Sequence, residues 1–372
     1  MKSSYMKRMA LPMVLVGGSL VTASLYPSLA SAQVPNLPSI SASTLLTKVL
    51  GANAPIYSGT IQLVSNTGIP SAALSAAIPN SSSSLSTLAI NALTGTTSYN
   101  YWVDGASNAR VQVPLSNGEL DLYASPTSSW LYDSTTNVAT KVQSPTSSTS
   151  SGSTRTDSYT KSPSVTPATL VSTFLDKLPA GTTVSVATNA YIAGEPTYTL
   201  VISPNDPKSL ITSITVSVDG NNFDPLGAAI NTSSGQALSI SYSQLSFTKP
   251  SESVFSFTPN SSMTQKVIAL SGTSSTYSSS MATTSTSTQA GSSSVTHIGQ
   301  GFSTITVHTA TSAPSAQVQK ELSMLGKFGT AATTSLGQGY VLSLSFGSIF
   351  IASNGSYAVG AVAPSTLLSA IA

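Results

Sequence analysis

Residues 97–133, TSYNYWVDGASNARVQVPLSNGELDLYASPTSSWLYD, contain four short runs in which apolar and polar residues alternate. A period of two is typical of a strand that buries one face. The runs are Thr97 to Asp104, Ala109 to Pro114, Glu119 to Ala124 and Ser129 to Asp133. Turn dipeptides, Asp104-Gly105 and Asn117-Gly118, separate them, because glycine takes positive φ and Asp or Asn tolerates it. The stretch therefore predicts an antiparallel meander.

The same period of two recurs on both sides of the meander and predicts further strands with one apolar face. The apolar positions are Ile61 and Leu63 before the meander, and Val184, Val186, Tyr198, Leu200, Ile202, Ile214, Val216, Val218, Leu238, Ile240 and Tyr242 after it. One helix is predicted from the capping residue Ser41 to about Gly51, and a second begins at Thr166-Pro167. Two helices are too few to cover one face of so long a sheet completely.

The chain divides into four segments. Residues 1–32 have a basic start, an apolar run and the pattern Ala30-Ser31-Ala32, which together predict a signal peptide cleaved after Ala32. Residues 37–260 hold the strands above, and residues 261–294 form a predicted Ser/Thr-rich linker. Residues 295–372 form a small C-terminal α+β unit, with alternating runs and a last helix from Pro364. We therefore expect an extracytoplasmic protein, secreted or associated with the cell envelope.

The composition excludes several classes of protein. Charged residues make up 7% of the chain, against a usual value of about 25%, so hydroxyl groups must supply much of the polar surface. The formal net charge of +2 becomes about −1 when Lys2, Lys7 and Arg8 leave with the signal. No basic field remains that would attract nucleic acid. The absence of cysteine excludes disulfides, thiolate metal sites and a lipidated N-terminal cysteine.

No residue pattern indicates catalysis. His297 and His308 lack the spacing of a metal pair, and no G-x-S-x-G elbow is present. Glu119 and Asp121 share a strand face, and we expect both carboxylates to face solvent because the pattern places nothing apolar around them. The sequence therefore predicts a non-enzymatic protein without catalytic residues, metal ligands or cofactors.

The apolar face of the strands is the candidate binding surface. The alternation assigns its lining to Ile61, Leu63, Leu120, Leu122, Leu200, Ile202, Ile214, Val216, Leu238 and Ile240. Trp102 and Trp130 are placed near the rim, because an indole has an apolar body and a polar tip. The alternation identifies an inward face but leaves open whether side chains fill the space in front of it.

Several stretches resemble the secreted lipoprotein-carrier superfamily of LolA and LolB. The opening helix leading into Tyr57-Ser58-Gly59-Thr60-Ile61 and then Gly68-Ile69-Pro70 is similar to the start of its actinobacterial LolA-like members and of the RseB/MucB N-terminal domain. Further matching stretches are residues 129–137, the Thr166-Pro167 helix, Phe247-x-x-Pro250 with Phe255-x-Phe257-x-Pro259, Gly299-Gln300-Gly301-Phe302 and Tyr357 to Val362.

This resemblance implies a mainly β fold with some α: a curved, incomplete antiparallel β-barrel lidded by helices, with the small α+β unit beside it. It implies a protein that binds lipid acyl chains or lipoproteins and performs no chemistry. The basic residue that helps to close the lid in the carriers has no counterpart in the first strand block, where Arg110 is the one arginine. Two alternatives remain. One is an RseB-like envelope stress sensor whose C-terminal unit binds a membrane protein, and the other is a structural cell-surface protein.

Overall fold

The structure is a computed structural model that describes most of the chain after residue 33. The described residues are 34–52, 58–77, 84–104, 108–125, 129–143, 181–269, 294–311 and 326–372, with single residues at 166, 168, 171, 175, 178, 179, 314 and 319. The predicted signal at 1–32, residues 144–163, and all of the predicted linker between 271 and 293 lie outside the described residues.

Twelve strands form one large sheet. They are β1 (Ser58–Ser65), β2 (Thr96–Val103), β3 (Ala109–Leu115), β4 (Gly118–Ala124), β5 (Ser129–Asp133), β6 (Val138–Gln143), β7 (Thr183–Ile192), β8 (Glu195–Ser203), β9 (Ile211–Asp219), β10 (Pro225–Thr232), β11 (Gly235–Ser246) and β12 (Thr264–Ala269). Their order across the sheet is β12-β6-β5-β4-β3-β2-β1-β11-β10-β9-β8-β7. All neighbours are antiparallel except β12 and β6, which are parallel. The meander predicted at residues 97–133 is β2 to β5.

Three helices belong to the first part of the described chain, one before β1 and two between β1 and β2. They are α1 (Ala42–Leu50), α2 (Ser71–Ala77) and α3 (Ser84–Thr94). The Ser41 hydroxyl accepts the Thr44 amide at 3.1 Å and caps α1, as the sequence predicted. In the second predicted helix, the described residues Ala168, Val171 and Leu175 are helical. The sequence did not predict α2 and α3, whose small residues make no strong apolar stripe.

The large sheet curls toward the side that carries the helices. On that side Leu45 and Val49 of α1 pack with Leu200, Val216 and their neighbours in one core cluster. A second cluster is built on Ile61, Ile240 and Tyr242, and the β7–β8 turn at Ile192 and Ala193 packs against it. Since β7 is an edge strand and β11 lies four strands away, this contact requires strong curvature. We call the helix-covered side the concave face and the other side the convex face.

After β11 the chain crosses the convex face of the meander to reach the far edge of the sheet. This crossing segment, residues 247–263, includes a short 3-10 helix at Glu252–Phe255. Its Phe257 ring stacks on Tyr123 of β4 with centroids 4.8 Å apart. The segment then enters β12, which pairs with β6 from Thr264 to Ala269. The predicted linker at 261–294 therefore begins with an ordered strand of the large sheet.

Six further strands form the C-terminal sheet. They are β13 (Ser294–Ile298), β14 (Ile305–Thr309), β15 (Thr330–Thr334), β16 (Gly337–Leu344), β17 (Gly347–Ala352) and β18 (Tyr357–Gly360), in the order β13-β14-β18-β17-β16-β15. Helix α4 (Pro364–Ala370) packs Leu367 against Phe350 and Val362 in its core. Proline at the start of α4 suits the first helical turn, where its missing amide hydrogen costs nothing.

The two sheets contact each other through backbone and side chains. The Leu210 amide donates to the Ala361 carbonyl at 2.8 Å, and the Ser345 amide donates to the Thr67 carbonyl at 2.8 Å. Phe302 packs against the core cluster of the large sheet. The predicted fold class, an open curved antiparallel sheet lidded by helices with a small α+β unit, is confirmed. Among the described residues, no helix has the length and apolar character that crossing a membrane requires.

Candidate functional site

Strand register brings the ten predicted lining residues onto the concave face. One row of directly opposed residues runs from Leu200 through Val216, Ala228 and Ile240 to Leu63 across β8, β9, β10, β11 and β1. The next row contains Ile202, Ile214, Ile230 and Leu238. Because side chains two apart on a strand share a face, the rows form one continuous apolar surface.

The meander extends this surface across the other half of the sheet. Ile61 lies opposite Tyr99, and Tyr101, two residues along β2, lies opposite Val111. Val111 in turn lies opposite Leu122, which places Leu122 and Leu120 on the concave face. The apolar face therefore runs without a break from β4 to β8.

The two tryptophans lie on the convex face, whereas the sequence predicts them at the rim of the concave pocket. Trp102 follows Tyr101 in β2, and Trp130 precedes Leu131 in β5, so each indole points away from the concave face. Trp102 is paired with Arg110, and Trp130 lies between Tyr123 and Lys141. The alternation rule itself contained this information, since neighbouring residues in a strand face opposite sides.

Burial divides the concave face into a filled part and a partly open part. Leu200, Ile202, Ile214 and Val216 are buried in the cluster that also contains α1 residues, so side chains fill the space in front of them. In the second cluster, built on strand and turn residues, Ile61 and Ile240 are also buried. Leu120 is buried as well, whereas Leu63, Leu122 and Leu238 remain partly exposed. These three leucines mark the part of the face that a ligand could reach.

Three tyrosines introduce hydroxyl groups next to this partly open region, and two of them, Tyr101 and Tyr242, are buried. Tyr99, Tyr101 and Tyr242 belong to, or pack against, the Ile61 cluster on the concave face. Burial raises the pKa of Tyr99 and of Tyr242 well above the usual tyrosine value. The Tyr242 side chain also forms a hydrogen bond with Thr166, at the start of the second predicted helix. The hydroxyls therefore stay neutral and can donate hydrogen bonds in apolar surroundings.

A cleft of about 400 Å³ opens at the end of β1. It is lined by Ser65, Asn66, Thr67, Gly68, Ile69, Pro70 and Thr94. The Ser65 and Thr67 hydroxyls donate to the Ala92 and Leu93 carbonyls of α3 at 2.6 and 2.7 Å. Ser65 lies opposite Leu238, so the cleft adjoins the partly open region of the concave face. Sequence reasoning missed this site, although it noted Gly68-Ile69-Pro70.

The convex face of the meander carries a row of cations and aromatic rings. Residues in direct register across β2 to β6 are Trp102, Arg110, Tyr123, Trp130 and Lys141. The Arg110 guanidinium carbon lies 5.1 Å from the Trp102 ring and 4.9 Å from the Tyr123 ring. Phe257 of the crossing segment covers this row, with its ring centroid 5.8 Å from that of Trp130 and 5.5 Å from that of Tyr132.

The two carboxylates of β4 have different surroundings, and the expectation that both face solvent is wrong for Asp121. Asp121 is 1% exposed and its Oδ1 accepts from the Arg110 Nε at 2.9 Å. Glu119 is partly exposed and its Oε2 accepts from the Gln112 amide at 2.7 Å. Burial and the charge of Asp121 raise the pKa of Glu119 above its usual value. The arrangement is a structural ion pair under the crossing segment.

Comparisons with known proteins give matches in fold. No protein-family model matches the chain, and no curated protein matches its sequence. The chain is similar in fold to MucB and LolA superfamily proteins. The Pseudomonas aeruginosa MucA/MucB complex matches with a TM-score of 0.42 and 12% identity, over 88% of this chain and 96% of that chain. A LolA superfamily protein from Nitrosomonas europaea matches with a TM-score of 0.23 and 12% identity, over 59% of this chain and 99% of that chain.

A third match is a domain of an outer membrane lipoprotein-sorting protein from Vibrio parahaemolyticus. Its TM-score is 0.22 at 12% identity, over 57% of this chain and 97% of that chain. At these identities the likeness concerns the fold alone.

Proposed function

We propose that this protein binds lipid acyl chains, free or as part of a lipoprotein, on the concave face of its large sheet. The observation that carries the proposal is the continuous apolar face from β4 to β8, which is partly open at Leu63 and Leu238 near its centre and at Leu122 on β4. Hydrocarbon buried there contributes roughly 0.8 kcal/mol for each CH₂ group. Binding of this kind requires no covalent chemistry and no cofactor.

The polar groups at the centre of the face suit the head of an acyl chain rather than its tail. The neutral hydroxyl of Tyr242 lies among apolar residues and bonds Thr166. An ester or carboxyl oxygen would replace Thr166 as its partner, in surroundings where a hydrogen bond is stronger than in water. The tail would extend along the row of Leu63 and Ile240 beneath the helices. Because α1 already covers Leu200 and Val216, a long chain would also require α1 or α3 to move.

Two adjacent residues of β11 provide a matched test. Leu238 lies on the concave face and Ser239 on the convex face, and both are partly exposed. Leu238→Trp fills the proposed site and should weaken binding of dansylaminoundecanoic acid at least tenfold. Ser239→Trp adds the same bulk on the other face and should leave that binding within about twofold of the natural protein. Equal effects of the two changes, in folded proteins, would contradict the proposed site.

The natural ligand can be identified without a guess about its structure. Native mass spectrometry of the protein purified from its own host, followed by organic extraction, should release a stoichiometric lipid.

We also propose that residues 1–32 are a cleaved signal peptide and that the protein works outside the cytoplasm. N-terminal sequencing of that same sample should then begin at Gln33. An intact Met1 would contradict the proposed export route.

A second candidate function is the binding of an envelope protein along the C-terminal sheet. All five residues of the edge strand β13 are exposed, with Val295 at 54% and Ile298 at 37%. An exposed strand edge can accept an extended peptide as an added strand. Affinity capture with the full chain should then retain one specific protein. Replacing the exposed Val295 with lysine, which places a charge on the edge strand, should release it.

A further inference from the structure

The turn between β9 and β10 holds two buried carboxylates, each with one oxygen that has no hydrogen-bond partner. Asp219 and Asp224 are 1% and 5% exposed. The Oδ1 atom of Asp219 accepts from the amides of Asn221 and Asn222 at 2.6 and 3.2 Å. The Oδ2 atoms of both aspartates are buried, and neither has a hydrogen-bond partner. A buried carboxylate oxygen without a partner is unfavourable. We therefore expect a bound ion or molecule from outside the chain to contact these oxygens.

The backbone holds the two aspartates close together. The Asp219 amide donates to the Asp224 carbonyl at 2.9 Å, and the Phe223 amide donates to the Asp219 carbonyl at 3.2 Å. Burial first, and then the charge of Asp219, raise the pKa of Asp224 to about 6. The negative charge of Asp219 therefore disfavours the ionised form of Asp224.

No basic side chain of the described residues neutralises this pair. Among the described residues, the single ion pair joins Arg110 of β3 to Asp121 of β4, and neither residue belongs to the β9–β10 turn. Lys48 of α1 contacts the same turn, and its ammonium lies 4.2 Å from the centre of the Phe223 ring. It forms an ion pair with neither aspartate. Tyr242, whose pKa the Asp224 charge helps to raise, adds no positive charge.

We propose that Asp219 and Asp224 form a calcium site. Calcium prefers carboxylate, carbonyl and water oxygens in a flexible arrangement, and the turn residues 219–224 offer oxygen donors with no histidine or cysteine. The cation would satisfy both orphan Oδ2 atoms and remove the repulsion between the two charges. It would lock the β9–β10 turn, which lies beside the Ile61 cluster. The site is independent of the proposed lipid function.

The test measures calcium binding to the full chain at pH 7 after treatment with EDTA. Calorimetric titration with CaCl₂ should show one site, and 1 mM calcium should raise the midpoint of thermal unfolding by about 3 °C. Asp224→Asn and Asp219→Asn should each abolish that rise. Asp206→Asn changes an aspartate whose oxygens already accept hydrogen bonds, so this control should keep the full rise.

Two further measurements make the outcome decisive. In EDTA, Asp224→Asn should unfold at the same temperature as the natural protein or higher, because the substitution removes a repelling charge and keeps the shape. This result also shows that the variant folds. A natural protein that shows no calcium heat and no shift at 5 mM calcium would overturn the proposal. In that case protonation of Asp224 alone relieves the repulsion, and lowering the pH to 5 should stabilise the protein.

Discussion

The guanidinium of Arg110 is held between two kinds of partner on the convex face: its Nε donates to Asp121 Oδ1 at 2.9 Å, and its carbon lies 5.1 Å from the Trp102 ring. Asp121 is buried while Arg110 is partly exposed. The pair therefore lies at the boundary between the sheet and the crossing segment. An aromatic neighbour and a carboxylate together favour arginine over lysine at such a site.

The first prediction concerns this pair. Arg110→Met should lower the free energy of unfolding by about 3 kcal/mol, because it leaves the Asp121 carboxylate buried without a countercharge. Arg110→Met combined with Asp121→Leu should lose clearly less than the sum of the two single changes. Urea unfolding followed by circular dichroism measures both. Purely additive losses would mean that the two side chains do not stabilise each other.

The second prediction uses Phe257 to test the crossing segment. Phe257→Ala should lower the free energy of unfolding by about 2 kcal/mol, since it removes the ring that contacts Tyr123, Trp130 and Tyr132. The chain has two tryptophans, and both lie on this face. Intrinsic fluorescence should therefore shift to longer wavelength as Trp130 becomes hydrated. Phe247→Ala, at an exposed ring of the same segment, is the control and should change neither quantity.

The third prediction concerns pH and the contact between the sheets. Asp206 Oδ2 accepts from the Ser303 amide at 3.1 Å, and Oδ1 accepts from the Lys208 amide at 3.0 Å. Partial burial raises the pKa of Asp206, but the hydrogen bonds from Ser303 and Lys208 lower it by more. The net result is a pKa below the usual value for aspartate. A lowered folded-state pKa contributes stability that is present above the unfolded value of about 3.9 and is lost as the pH falls through the folded value.

Asp206→Asn should therefore destabilise the protein by about 1 kcal/mol at pH 6, and the difference from the natural protein should shrink below pH 3. Unfolding by urea at a series of pH values gives this difference directly. A difference that is the same at pH 3 and pH 6 would show that the carboxylate charge does not contribute to the contact.

Much of the fold could be predicted from local patterns, and the exceptions have physical causes. The alternation at Ile61 and Leu63 predicts β1, and Ser41 predicts the start of α1, because both signals lie within a few residues. The burial of Asp121 could not be predicted in this way. Asp121 lies on the convex face two residues before Tyr123, and Phe257, which covers Tyr123, reaches β4 only through the crossing segment, far along the chain. The sequence did not predict β12 for a similar reason. Its residues are exposed, and its partner β6 lies far across the sheet from β11, the preceding strand in the chain.

The candidate site shows a second limit of local patterns. Each run of alternating residues identifies two faces, but only the pairing of strands shows which faces of different runs coincide. The local pattern predicts Trp102 and Trp130 at the rim of the leucine-lined face, whereas strand register places them on the opposite face of the sheet. Likewise, the apolar character of Leu200 and Val216 indicated an inward position, but the packing of α1 in front of them could not be seen in their own strands.

The last prediction follows from the position of the tryptophans. Trp102→Phe and Trp130→Phe change side chains on the convex face, whereas the proposed acyl site includes Leu238 on the concave face. Each change should leave the affinity for dansylaminoundecanoic acid within about twofold of the natural value, because distant sites with no shared partners act independently. Leu238→Trp, measured beside them, should lose at least tenfold. If a folded Trp130→Phe protein lost tenfold while Leu238→Trp bound normally, the ligand would occupy the convex face, and the crossing segment with Phe257 would be its cover.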